Sequence, residues 1–241
     1  MSSIVKRHNL HTHSTFSDGV VSPFQLVKEA VIQGLDIIGI SDHAFSLKMN
    51  NHSQVSQNIS EYYDELSKIK KSMNDVEVLI GIEIDASLNT GHDPKDLPFD
   101  VINLCDYVLF ESVHTDYESW GIVGKRDIRE ILNIRNMIKI PVGLAHNDLQ
   151  RNFNGREEYI TKLLSENDIF IELNDSNSSR NIREGKDYFL HFSNKLISCM
   201  KEMDVKIVIG SDSHTGADLN TLDSAYDFAN INTLSFHPMV L

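Results

Sequence analysis

The chain has 241 residues, 41% of them hydrophobic and 24% charged, and its 35 acidic against 22 basic side chains leave a formal net charge of −13. That is enough apolar material for one large domain with a full core, and residues 1–241 are read as a single domain. The negative field repels a phosphate backbone and disfavours a passive nucleic-acid binder; it suits uptake of divalent cations, or simply a soluble acidic surface.

Cys105 and Cys199 lie far apart and outside any CxxC pair, which argues against a disulfide framework or a thiolate zinc site. The opening MSSIVKRHNLHTHS has no apolar stretch of signal-peptide length, and no run approaches the roughly 18 apolar residues of a membrane span. The expected setting is the cytoplasm, away from membranes.

Along the chain, short apolar runs alternate with amphipathic stretches. The expected strands are His8–Leu10, Asp36–Ile40, Val76–Ile84, Tyr107–Val113, Pro141–Ala145, Ile169–Leu173 and Lys206–Ile209. Several are apolar throughout and rich in β-branched residues, as strands covered on both faces of a parallel sheet should be. Between them, Ser22-Pro23 opens a helix that Gly34 closes, with the cap and the first-turn proline in their favoured places. Further helices are expected over Asn58–Met73, Gly124–Lys139, Gly155–Asn167, Gly185–Met203 and Ala217–Asn230. About seven strand–helix alternations imply parallel strands joined by right-handed crossovers, in either a closed barrel or an open doubly wound sheet. The irregular stretches Ala44–Gln57, Leu88–Leu104, Thr115–Val123 and Asp175–Gly185 each follow a strand, on the face where such folds carry function.

Histidines and carboxylates gather at these same strand ends. His11 and His13 follow the first strand in HTHSTFSDG, with Asp18 just beyond; Asp42 and His43 end the second in GISDHA. Glu83 closes the third ahead of Asp85, His114 the fourth, His146 the fifth, and Asp212 with His214 the seventh. A lone histidine after a strand is more often packed than ligating. Two at alternate positions of extended chain share a face and can reach one cation. Packing gives no reason for titratable groups to collect on one edge and avoid the helices, and burying so many together without a cation would be costly. Imidazole and carboxylate without thiolate suit Zn²⁺, Mn²⁺ or Fe²⁺, and nine candidate ligands are too many for one ion, so two or three are expected.

HTHSTFSDG, SDH, the Glu of GIE, VH, AH and GSDSH, in that order, resemble the polymerase-and-histidinol-phosphatase (PHP) superfamily. The segments IELNDSN and IVIGSDSHT are most similar to its small single-domain phosphatases. The resemblance implies a distorted (β/α)7 TIM-like barrel (α/β class) with a metal centre at the carboxyl ends of its strands. It implies His11, His13, Glu83 and Asp212 around one ion; Glu83, His114 and His146 around a second, with Glu83 bridging; and Asp18, His43 and His214 around a third. Some members carry histidine where Asp18 stands. Asp42, Asp85 and Asp148 match no ligand position and are read as partners that orient the imidazoles, with helix capping as the plainer role for Asp148.

The expected activity is hydrolysis of a small phosphate monoester by a metal-bound hydroxide, with His11, His13, Glu83, Asp212 and His214 at its heart, since no Ser or Cys nucleophile motif appears. Arg180 and Arg183, in the loop after the sixth strand, are the candidates for gripping phosphate oxygens, followed by Arg151. Phe45, Phe153 and Trp120 are candidate walls for a substrate. The expected partner is a small phosphorylated metabolite. The competing readings are a phosphodiesterase or exonuclease acting on nucleic acid and a metal-loaded scaffold without catalysis.

Overall fold

The computed structural model describes residues 4–44, 55, 58–86, 94–114, 126–153, 155–176 and 187–241, without the side chains of Pro94, His114 and Arg126. Every strand pairing among them is parallel. The strands are β1 (His8–Asn9), β2 (Ile37–Ile40), β3 (His43–Ala44), β4 (Glu77–Asp85), β5 (Tyr107–Glu111), β6 (Val113–His114), β7 (Arg126–Asp127), β8 (Val142–Leu144), β9 (Ile169–Asn174), β10 (Lys206–Gly210) and β11 (Ser235–Phe236). The main sheet runs β1-β2-β4-β5-β8-β9-β10-β11, with the short β3 set against the end of β4; β6 and β7 form a separate ribbon.

The sheet curls until its ends meet. β10 pairs with β9 on one side; on the other its first residues pair with β11 and its last approach β1. The Leu10 N–H donates to Ile209 O at 2.9 Å, and beyond it Thr12 bridges Ser213 in parallel register. The seven expected strands thus become β1, β2, β4, β5, β8, β9 and β10 of a barrel, and the open doubly wound alternative falls away.

The barrel explains the uniformly apolar runs. One side of each strand faces a small inner core made by Leu10, Ile37, Leu79, Tyr107, Leu109, Ala145, Phe170 and Val208, with Val240 from the last turn below them. The other side packs under the helices in a larger core that includes Ile38, Ile80, Phe110, Leu144 and Ile171. Tyr107 reaches across the interior to donate its hydroxyl to Leu10 O at 2.6 Å. Gly39 and Gly81 face that ring, and a Cβ at either would collide with it.

The helices follow local signals. Pro23–Ile32 has a capping box in which the Ser22 hydroxyl and Gln25 serve each other's backbone N–H groups. Ile59–Ser72 is capped by Asn58. Three helices are shorter than their amphipathic patterns. The Gly124–Lys139 pattern becomes Ile128–Arg135, because Arg126–Asp127 pairs with β6 and Asp127 caps the helix. Gly185–Met203 divides into a 3₁₀ turn, Tyr188–His191, and Asn194–Glu202, with Ser193 as the second cap. Ala217–Asn230 begins only at Asp223. Glu157–Glu166 lies close to its expected place. A short helix, Phe99–Ile102, and a 3₁₀ turn, Pro94–Asp96, fall where irregular chain was expected. No helix among the described residues is long and apolar enough to cross a membrane.

Candidate metal centre

The seam of the barrel builds half of the site. Thr12 pairs with Ser213, and the His13 N–H donates to Ser213 O at 2.8 Å. Each of these residues is flanked by two candidate ligands, so His11, His13, Asp212 and His214 project together above the seam. The register of β3 with β4 sets His43 beside Glu83 in the same way. Past the strand ends the backbone turns sharply: Ser112, His146 and Asp212 have φ of 62°, 29° and 52°. Non-glycine residues adopt this left-handed conformation at a cost, and such strain collects at functional sites.

The side chains converge closely. His11 Nε2 and His13 Nε2 are 3.0 Å apart, and His13 Nε2 is 2.8 Å from Asp212 Oδ1. Glu83 lies in the middle: its Oε2 is 2.6 Å from His43 Nδ1 and its Oε1 is 3.1 Å from His146 Nε2. Asp18 Oδ1 stands 3.1 Å from His214 Nε2 and 3.8 Å from His43 Nε2. Three sets have ligand atoms mutually within 4.8 Å: His13, Asp18, His43 and His214; His11, His13 and Glu83; and His43, Glu83 and Glu111.

These donors suit a cation. Asp18 Oδ1, Glu83 Oε2 and Asp212 Oδ1 are buried and accept no hydrogen bond of acceptable geometry, although imidazole nitrogens stand close by. Two imidazole nitrogens facing one another at 3.0 Å need a proton or a cation between them. His214 donates Nδ1–H to its neighbour's carbonyl, Asp212 O, at 2.8 Å, which turns the lone pair of Nε2 towards Asp18.

The electrostatics point the same way. Burial opposes charge on His11, but Glu172, Glu83 and Asp212 outweigh it and hold its pKa well above the ordinary imidazole value. Glu83 and Asp212, despite burial, are held well below the carboxylate range, the first by His43 and His11 and the second by His11 and His13. Asp18 is likewise lowered by His214 and His43 against its burial. His146 and His214 are raised against burial by Glu83 and Asp18 respectively. His13 is pushed down to about 3 by burial and by His43. The carboxylates therefore demand positive charge, which protons on the imidazoles supply when cations do not.

Of the nine sequence-derived ligands, eight are brought together here; His114 ends β6, and its side chain lies outside the described residues. Asp42 is buried and accepts from Ser14 N–H, Ser14 Oγ and Ser17 Oγ at 2.7, 2.6 and 2.6 Å, fixing the turn after His13. Its carboxyl is raised by burial against those hydrogen bonds. Asp85 is buried at the end of β4, whereas Asp148 caps the short helix Leu149–Asn152 by accepting from Arg151 N–H. Arg151 stands exposed on that helix and Phe153 is buried at its end. Arg180, Arg183, Phe45 and Trp120 lie outside the described residues. Two buried carboxylates beside the cluster were missed, Glu111 near His43 and Glu172 against His11. Each is the one charged residue in a largely apolar strand run, YVLFE and IFIELN, and that was the available signal.

The pattern of the PHP domain family matches residues 9–176. Among curated proteins, a probable phosphatase of Clostridium acetobutylicum is 27% identical over 218 residues, covering 89% of this chain and 82% of that protein. Another, from Caldanaerobacter subterraneus subsp. tengcongensis, is 26% identical over 222 residues, covering 89% and 79%. Among solved structures, the histidinol phosphate phosphatase of Lactococcus lactis, complexed with zinc, L-histidinol and phosphate, aligns over 97% of this chain and 95% of its own. Its TM-score is 0.64 at 18% identity, a likeness of fold. With a family match spanning most of the barrel and every described motif residue at the mouth of that barrel, the chain belongs to the PHP domain family.

Proposed function

We propose that residues 1–241 act as one PHP-type domain, a metal-dependent phosphoesterase that releases phosphate from a small monoester. The observation that carries this reading is the convergence of imidazoles on buried carboxylate oxygens that lack hydrogen bonds. His11, His13, Glu83 and Asp212 would hold one cation, Glu83, His114 and His146 a second, and Asp18, His43 and His214 a third. Bound divalent cations supply an activated water and neutralise charge on the phosphoryl group.

The protein's own part is to present lone pairs and exclude competing donors. His214 keeps its Nδ1 proton on the Asp212 carbonyl, leaving Nε2 to face the centre. His13, with a pKa near 3, stays neutral across the physiological range and so remains a ligand. Asp42, through Ser14 and Ser17, holds the loop that carries His13 and Asp18. Arg180 and Arg183 are assigned to the outer phosphate oxygens, which a guanidinium fork matches well.

The test is metal analysis of the purified protein together with phosphate release from a panel of small esters, before and after chelation and on return of Zn²⁺, Mn²⁺ or Fe²⁺. Because the Lactococcus neighbour is complexed with L-histidinol and phosphate, amino-alcohol phosphates head the panel. Two or three bound ions with chelator-sensitive release are expected. Release confined to oligonucleotide substrates would replace the monoesterase reading with a nuclease, and bound metal without any release would leave a scaffold.

A further inference from the structure

We infer that Glu172 is a positioning carboxylate that sets the ring of His11 and the backbone of His146 from beneath the metal centre; the inference rests on the assignment of both histidines as ligands above. Glu172 lies in the middle of β9, opposite Val208 in register, and is almost wholly buried inside the barrel wall. Its side chain fills the space over Gly210, where a Cβ would collide with Oε1 and with His11.

Both its oxygens are occupied by protein donors. His11 Nδ1 lies 3.0 Å from each oxygen, the His146 N–H donates to Oε2 at 2.6 Å, and Asn174 Nδ2 donates to Oε1 at 2.7 Å. Asp18, Glu83 and Asp212 differ: each has a buried oxygen without a hydrogen bond, aimed into the cluster. Glu172 is therefore spent on orientation, and the other three are left to bind.

Its effect on each histidine follows from donor and acceptor roles. The carboxylate already accepts the His146 and Asn174 N–H groups, and His11 Nδ1, placed equally against both oxygens, is the third donor, which puts that ring's proton on Nδ1. With a cation in place of a second proton, the lone pair of Nε2 would face a point flanked by His13 Nε2 at 3.0 Å, Glu83 Oε1 at 3.4 Å and Asp212 Oδ1 at 3.5 Å. At His146 the same carboxylate ties down the amide of a residue in left-handed backbone, and Nε2 then meets Glu83 Oε1 at 3.1 Å. The two rings stack at 17° with centroids 5.6 Å apart. One carboxylate thus aligns ligands from two strands on the same oxygen of Glu83. Carboxylates that accept from a ligating imidazole in this way fix its tautomer and raise its basicity.

The test is E172Q, which keeps the shape but presents an amide N–H₂ to one of the three converging donors. Zinc affinity is measured by competition with a chromophoric chelator, and imidazole protonation by heteronuclear NMR of the zinc-loaded wild type. The expected results are a loss of affinity of about ten- to a hundredfold, with the circular dichroism spectrum unchanged, and a wild-type His11 that is protonated at Nδ1 and ligating through Nε2. In a His11→Ala background the same substitution should cost less, because its main client is gone. Affinity in E172Q within about twofold of wild type, or a His11 bound through Nδ1, overturns the inference alone. Wild-type protein that takes up no zinc, manganese or iron overturns the metal-centre reading and this inference with it. Should E172Q fail to fold, the wild-type tautomer decides.

Discussion

His8, at the start of the first strand, sits among backbone groups that leave it no room for a second proton. Its Nδ1 is 2.8 Å from Lys6 O and so donates, while Nε2 accepts the Ile209 N–H at 3.0 Å. Burial, with a smaller push from Arg7 and against the Lys6 hydrogen bond, takes its pKa from 6.5 to about 4. Between those values the unfolded chain binds a proton that the native protein refuses, so stability falls as pH drops from about 6.5 to about 4, by roughly 3 kcal/mol in all. Denaturant unfolding of metal-stripped protein across that range checks this; a His8→Gln variant with an unchanged slope would remove His8 from the account. At the mouth of the barrel, Asp18 stands with His13, His43 and His214. Asp18→Ala should lower bound metal by about one ion while the His11 cluster keeps its own. Equal metal content in variant and wild type would dissolve the third group.

At the scale of elements, Tyr107 ties β5 to the end of β1 through its hydroxyl, inside a space kept open by Gly39 and Gly81. Tyr107→Phe keeps the packing but leaves the buried Leu10 carbonyl short of a donor, which should cost about 1–3 kcal/mol in denaturant unfolding. No change would mean that water replaces the hydroxyl.

The seven barrel strands were legible as apolar runs because both faces of each are covered, and helix starts were legible where a capping side chain stands at the boundary, as at Ser22 and Asn58. Amphipathic period alone overran the helix over 128–135, because Arg126 and Asp127 are claimed by pairing with β6. It overran 223–231 too, because Ser213 holds Asp218 and Gln33 holds Asn220 in turns ahead of the helix. The site was legible from residue type and order at strand ends. Glu172 was hidden because one charge in an apolar run does not say which face is inner, and its histidine donors come from the segments that follow β1 and β8.

For the molecule as a whole, metal and fold are coupled. The cluster buries carboxylates whose charge only protonated imidazoles balance when no cation is bound, so metal-free protein would have to fold against that cost. A cation bound only by the native state adds about 2.7 kcal/mol of stability at a hundred times its dissociation constant. Chelation should therefore lower the melting temperature and metal return should restore it; a melting curve indifferent to both would argue against a resident ion.

The seam has a consequence for synthesis. Asn9 donates to Ser211 across 202 positions at 2.7 Å, and the first pair of histidines meets Asp212 and His214 only there. A nascent chain emerging from the ribosome exposes HTH early but has nothing to close it against until almost every other strand has been made. Contacts so distant along the chain are slow to form. Cation loading should thus be among the last events of folding, and chains arrested before β10 should carry an unclosed sheet and no intact centre.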